Sequence, residues 1–169
     1  LTTVSSIQIE HNSSLTSLNG LNGLTSLYSL DIDYNTDLTS LTGLNNVASI
    51  NVIIIKSNTD LTDLSGLNSL TTTNDDITIE QNGSLTSLNG LDNLSSIGGT
   101  LEISTNSMLT NLSALSSLTT LSGNLIFSNN DAVINLSGLT GLTTITNVTI
   151  QDNDALSSLG GLDNLTTLY

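Results

Sequence analysis

Side chains able to do acid–base, nucleophilic or metal chemistry are few in this chain: one histidine, His11, no cysteine, and fifteen Asp and Glu against a single cation, Lys56. A nucleophilic relay needs an imidazole or thiolate positioned by a third group. With one imidazole close to the start of the chain, no such set can be assembled. Asp31 and Asp33 share one face of a short alternating segment, yet nothing around them implies the concave pocket that paired-carboxylate hydrolysis requires. The chain reads as a non-enzyme, and His11 as a surface turn residue.

The carboxylates suggest cations instead. Asp37, Asp60, Asp131 and Asp154 recur just after similar turns, with Asp152 before the last. Calcium takes about six to eight oxygen ligands. No EF-hand loop or glycine-aspartate nonapeptide assembles them, so we expect no cofactor and no metal site, and at most weak, diffuse calcium binding at the surface. A net charge of −14 repels phosphate backbones and anionic lipid, which argues against nucleic acid and membrane-surface partners. Nor is any apolar run long enough to cross a bilayer, so no direct membrane insertion is expected.

What must position these residues is a repeat. Asn12, Asn35, Asn58, Asn82, Asn106, Asn130 and Asn153 are spaced 23, 23, 24, 24, 24 and 23 residues apart. Three positions after each comes an aliphatic residue, repeated every third position four more times, as in Leu15, Leu18, Leu21, Leu24 and Leu27. Ahead of each asparagine, apolar residues stand five and three places before, from Ile7 and Ile9 to Val148 and Ile150. Self-similarity at this period means a solenoid, in which each unit buries its apolar face against its neighbours. Alternation such as Leu30-Asp31-Ile32 predicts a short strand in each repeat, centred on Gln8, Asp31, Ile54, Thr78, Glu102, Ile126 and Thr149. The asparagine amide both donates and accepts, so stacked copies should form a buried structural ladder. The period of three after the turn suits 3₁₀ turns or short extended pieces, not an α-helix. A glycine eight places after most asparagines, from Gly20 to Gly161, points to close packing; Ala114 in that slot argues against an obligatory positive φ. Thr73, alone among the aliphatic slots in being polar, is followed by Asn74-Asp75-Asp76 and predicts a local irregularity.

Leu27-Tyr-Ser-Leu30-Asp-Ile32-Asp-Tyr-Asn35-Thr-Asp-Leu38 spells LxxLxLxxNxxL, and the chain thereby resembles a leucine-rich repeat protein along its whole length. Three repeats insert one residue before the strand, as in Ile97-Gly-Gly-Thr-Leu101-Glu-Ile103, a form that resembles the receptor L-domain-like repeats of secreted microbial and fungal cell-surface proteins. The resemblance implies a leucine-rich repeat solenoid with one short parallel strand per 23–24-residue repeat and an irregular or 3₁₀ opposite face. It also implies an extracellular or cell-surface location and an adhesive or ligand-recognising role. The array runs over 1–169 as one domain of about seven repeats. Leu1 and Val4 fill the slots of Leu165 and Leu168, so we expect a segment of a longer chain, without its caps and flanked by neighbouring repeats or domains.

A solenoid of this kind binds ligands on its repeated strand face. There, the polar pattern breaks where Ile54 and Lys56 stand beside Asp31, Asp33 and Tyr34, with Glu80 and Glu102 further along. We expect a protein or glycan ligand on these residues. The plainer account is that Lys56 relieves repulsion between Asp33 and Glu80. Thr16, Thr39, Thr62, Thr86 and Thr110 form one hydroxyl row, and Thr71-Thr72, Thr119-Thr120, Thr143-Thr144 and Thr166-Thr167 another; a regular hydroxyl lattice offers ice binding as an alternative, and a structural spacer in a large surface protein as a third. Of the Asn-x-Ser/Thr triplets, those at Asn12 and Asn82 fall on the ladder and should be inaccessible.

Overall fold

The computed structural model describes residues 3–168. Leu1 and Tyr169 lie outside the described residues, as does the side chain of Leu168. The chain is a parallel β-solenoid. Strands β1 (Thr3–Glu10), β2 (Ser26–Asp33) and β3 (Ser49–Lys56) are eight residues long. Beyond them each strand is divided: β4 (Thr72–Thr73) and β5 (Ile77–Glu80), β6 (Ser96–Ile97) and β7 (Leu101–Ser104), β8 (Thr120–Leu121) and β9 (Leu125–Ser128), β10 (Thr144–Ile145) and β11 (Val148–Gln151), with β12 (Thr167–Leu168) last. All pairings are parallel and in repeat register, so Leu30 lies beside Ile53, Ile53 beside Ile77, and Ile77 beside Leu101.

The seven strands expected from the sequence are therefore present, but one strand per repeat is too few. Within β2 the inward residues are Leu27, Leu30 and Ile32, so the strand turns a corner at Tyr28-Ser29 instead of alternating throughout. Later coils break at that corner: at Asn74-Asp75-Asp76, Gly98-Gly99-Thr100 and Ser122-Gly123-Asn124, where the extra residue sits, and at Thr146-Asn147 without one. The irregularity foreseen after Thr73 is thus repeated in every following coil. Beyond β3 the sheet forks into β5–β7–β9–β11 and β4–β6–β8.

The period of three arises from successive tight turns. Leu15, Leu21 and Leu24 each donate their N–H to the carbonyl three residues back, at 3.0, 3.1 and 2.9 Å, and Leu38, Leu44 and Val47 repeat this. Two of these turns, Ser113–Leu115 and Ser137–Leu139, are 3₁₀ helices. The core is a continuous aliphatic column with Phe127 as its aromatic member.

Glycine in the turn answers to both space and conformation. A Cβ on Gly43 would lie 2.1 Å from the Leu18 carbonyl oxygen of the preceding coil, which is the close packing expected. Contrary to the inference from Ala114, φ is positive at Gly20, Gly43, Gly66, Gly90 and Gly161. Ala114 is accommodated because its coil takes the 3₁₀ turn instead.

Candidate functional site

Seven asparagines hold the strand ends in place. Each N–H from Asn12 to Asn130 donates to Oδ1 of the next asparagine, at 2.9–3.1 Å. Each Nδ2 from Asn35 onward donates to a carbonyl of the preceding coil, as Asn58 does to Ile32 at 2.9 Å. Asn35, Asn58, Asn82, Asn106 and Asn130 are wholly buried. Asn12 is exposed, against expectation, because no described coil covers the first rung; Asn153 is half-buried.

A feature the repeat pattern did not reveal lies just before the ladder. His11, Tyr34, Ser57, Gln81, Thr105, Asn129 and Asp152 all adopt a left-handed backbone, with φ between 51° and 57°. Non-glycine residues seldom do so, and a β-branched threonine least of all. The one available signal was that this slot never holds an aliphatic residue. At this bend the rings of His11 and Tyr34 stack, with centroids 4.8 Å apart and planes 14° from parallel.

Six of the seven candidate residues lie on one strand face. Asp31, Ile54, Thr78 and Glu102 follow one another in register across β2, β3, β5 and β7; Asp33, Lys56 and Glu80 form the adjacent row, and Tyr34 stands at the bend just after β2. Glu102 stands two strands beyond Ile54, so it belongs to the row but not to the cluster. Ile54, read from the sequence as exposed, is half-buried, shielded in register by Asp31 and Thr78. Tyr34 is the open apolar group here, 45 % exposed. Ser104 and Ser128, placed outward by alternation, are buried because their short side chains do not clear their neighbours.

Lys56 chooses one of its two acidic neighbours. Its Nζ lies 2.9 Å from Glu80 Oε2, and that hydrogen bond raises the lysine pKa above its ordinary value. The relief of repulsion anticipated from the sequence is therefore real on the Glu80 side. Asp33 keeps Oδ1 buried without a hydrogen-bond partner. Asp31 has its carboxyl pKa raised, first by burial, then by the charges of Glu10 and Asp33, with the Gln8 amide opposing. Among the described residues no three His, Asp or Glu side chains converge where they could hold a metal ion.

The hydroxyl rows are engaged in the scaffold. Thr86 and Thr110 donate from Oγ1 to the carbonyls of Thr62 and Thr86, both at 3.2 Å. Ser95, Thr119 and Thr166 do the same to Thr71, Ser95 and Thr143. No family model, curated protein or solved structure matches this chain.

Proposed function

We propose that the chain is a leucine-rich repeat array from a secreted or cell-surface protein, and that it acts in adhesion or ligand recognition as a binding segment without catalytic activity. The repeat signature supports the family assignment, and the stacked parallel strands are compatible with it. The observation that carries the function is the clustering, on β1 to β5, of an exposed aromatic stack, the sole cation and a set of carboxylates. Hydrogen-bonding groups beside an aromatic edge suit a polar ligand better than an apolar one, so a glycan is favoured over a protein. Large exposed apolar side chains elsewhere, such as Met108, Ile134 and Leu159, sit in different slots and do not form this cluster.

The test is binding to an array of immobilised glycans, comparing wild type with Tyr34→Asn. Asparagine tolerates the left-handed backbone, so the ring is removed and the turn kept. Loss of most binding is expected. Binding unchanged by Tyr34→Asn would move the site elsewhere, and binding to a protein but to no glycan would overturn the glycan preference.

Ice binding remains as a second reading because of one row. Thr72, Ser96 and Thr120 lie in register on β4, β6 and β8, exposed or half-buried, and their hydroxyls have no partner among the described residues. Ice-recrystallisation inhibition that is abolished by Thr120→Asp would favour it.

A further inference from the structure

The hydroxyls of Thr86, Thr110 and Thr119 are engaged, each donating to a carbonyl of the preceding coil. At the corner of the strands the hydroxyls are free. There a groove of about 420 Å³ crosses β1, β2 and β3, lined by Ser26 and Ser49, which are in register, and by Ser5, Tyr28 and Asn51, which stand two residues further along the register. The hydroxyls of Ser5, Ser26, Tyr28 and Ser49 and the Nδ2 of Asn51 have no hydrogen-bond partner among the described residues. Tyr28 is also 57 % exposed, so an aromatic surface stands beside these open donors and acceptors.

The groove follows the axis of the solenoid. From Ser49 the hydroxyl row continues in register through Thr72, Ser96 and Thr120. Beyond it, Ser122, Thr144 and Thr146 line a second opening of about 190 Å³ in the same slot of the repeat. No charged residue lines either opening, in a chain whose net charge is −14. An ion would find no counter-charge here, whereas a neutral ligand rich in hydroxyls meets groups that both donate and accept.

We propose that this groove binds a neutral, extended polysaccharide of the cellulose type, laid along the solenoid axis with one sugar against the Tyr28 ring. Neighbouring strands lie about 4.8 Å apart, and a pyranose in an extended β-linked chain advances by nearly that distance, so each coil meets a successive sugar at the same slot. The tyrosine ring gives apolar contact to a sugar face while its hydroxyl stays in water. This groove is separate from the Tyr34 site, which lies past the far end of β2, and its occupancy does not depend on the glycan reading given there.

Native gel electrophoresis of the chain with and without hydroxyethylcellulose, together with calorimetry on cello-oligosaccharides, tests this. Retardation in the hydroxyethylcellulose gel is expected, with weaker retardation in carboxymethylcellulose, whose backbone is the same but whose carboxylates the acidic chain repels. Cellohexaose should bind several-fold more tightly than cellobiose, because it reaches across more coils. Tyr28→Ala should remove most of the retardation, and Ser49→Leu, on the neighbouring strand, should weaken it several-fold. Both side chains are exposed, and an unchanged thermal melt will show that each variant is folded. Tyr34→Asn should leave the retardation unchanged. No retardation in hydroxyethylcellulose would overturn the proposal. So would retardation that survives Tyr28→Ala, that is as strong in carboxymethylcellulose, or that is lost with Tyr34→Asn, which would place the sugar at the Tyr34 site instead.

Discussion

Replacing Asn82 by alanine removes the central rung of the ladder, and the loss can be worked from its partners. Asn82 is wholly buried. Its Oδ1 accepts the Asn58 N–H at 3.0 Å, and its Nδ2 donates to the carbonyls of Ile55 and Glu80 at 3.0 and 3.1 Å. Alanine leaves the Asn58 N–H without an acceptor inside the column. It also removes a donor from the Ile55 carbonyl, whereas the Glu80 carbonyl retains the Ser57 N–H at 3.0 Å. An orphaned buried donor costs about 1–3 kcal/mol, and a carbonyl short of one donor sits at the low end of that range. The sum is about 2–4 kcal/mol. Asn12→Ala is the internal comparison, because Asn12 is exposed and its side chain bonds only to the Glu10 carbonyl; it should lose less than about 0.5 kcal/mol. Urea unfolding followed by far-UV circular dichroism measures both. Since a solenoid is stabilised coil by coil and interface by interface, the Asn82 lesion should also broaden the transition. A loss below about 1 kcal/mol for Asn82→Ala, or an equal loss for Asn12→Ala, would refute the ladder as the source of stability.

Three further outcomes follow from the same geometry. Gly43→Ala should cost at least about 3 kcal/mol, because its Cβ would sit 2.1 Å from the Leu18 carbonyl oxygen, while Gly20→Ala, with a similar φ but open space, should cost only about 1 kcal/mol; chemical denaturation of the pair separates clash from backbone strain. Thr105→Asn should stabilise by about 0.5–1 kcal/mol in the same assay, since φ is 57° and the exposed threonine side chain makes no hydrogen bond that the change would remove. Asp31→Asn should raise the denaturation midpoint at neutral pH: folding raises the Asp31 pKa, so its charged form penalises the folded state above that pKa, and the penalty disappears as pH falls through it towards the ordinary aspartate value of 3.8. A midpoint difference that persists at pH values below the ordinary aspartate range would contradict that assignment.

The candidate face was legible in part. Alternation fixed which residues point outward, so the Asp31–Ile54–Glu102 and Asp33–Lys56–Glu80 rows could be drawn from spacing alone, because a parallel sheet in repeat register stacks equal positions. Spacing could not say that Lys56 reaches Glu80 and leaves Asp33 Oδ1 unpartnered, since both acids flank it equally in register and only side-chain placement distinguishes them. Nor could it show that Ile54 is shielded while Tyr34 stacks on His11, because exposure depends on the size of neighbours 23 and 24 residues away.

By itself, the sequence determined the solenoid, the buried aliphatic column and the asparagine ladder, because each is set by a period, and a period survives any detail of packing. The sequence also marked one failure of that regularity, after Thr73, but only the tertiary structure showed that it recurs in every later coil and which rungs are buried. An eight-residue strand holds together in the first three coils and divides at the corner in later ones, including the coil with Thr146-Asn147, which has no extra residue, so spacing alone does not decide it. Identical asparagines are wholly buried in mid-array and exposed at the first rung, because burial belongs to the neighbouring coil and not to the residue.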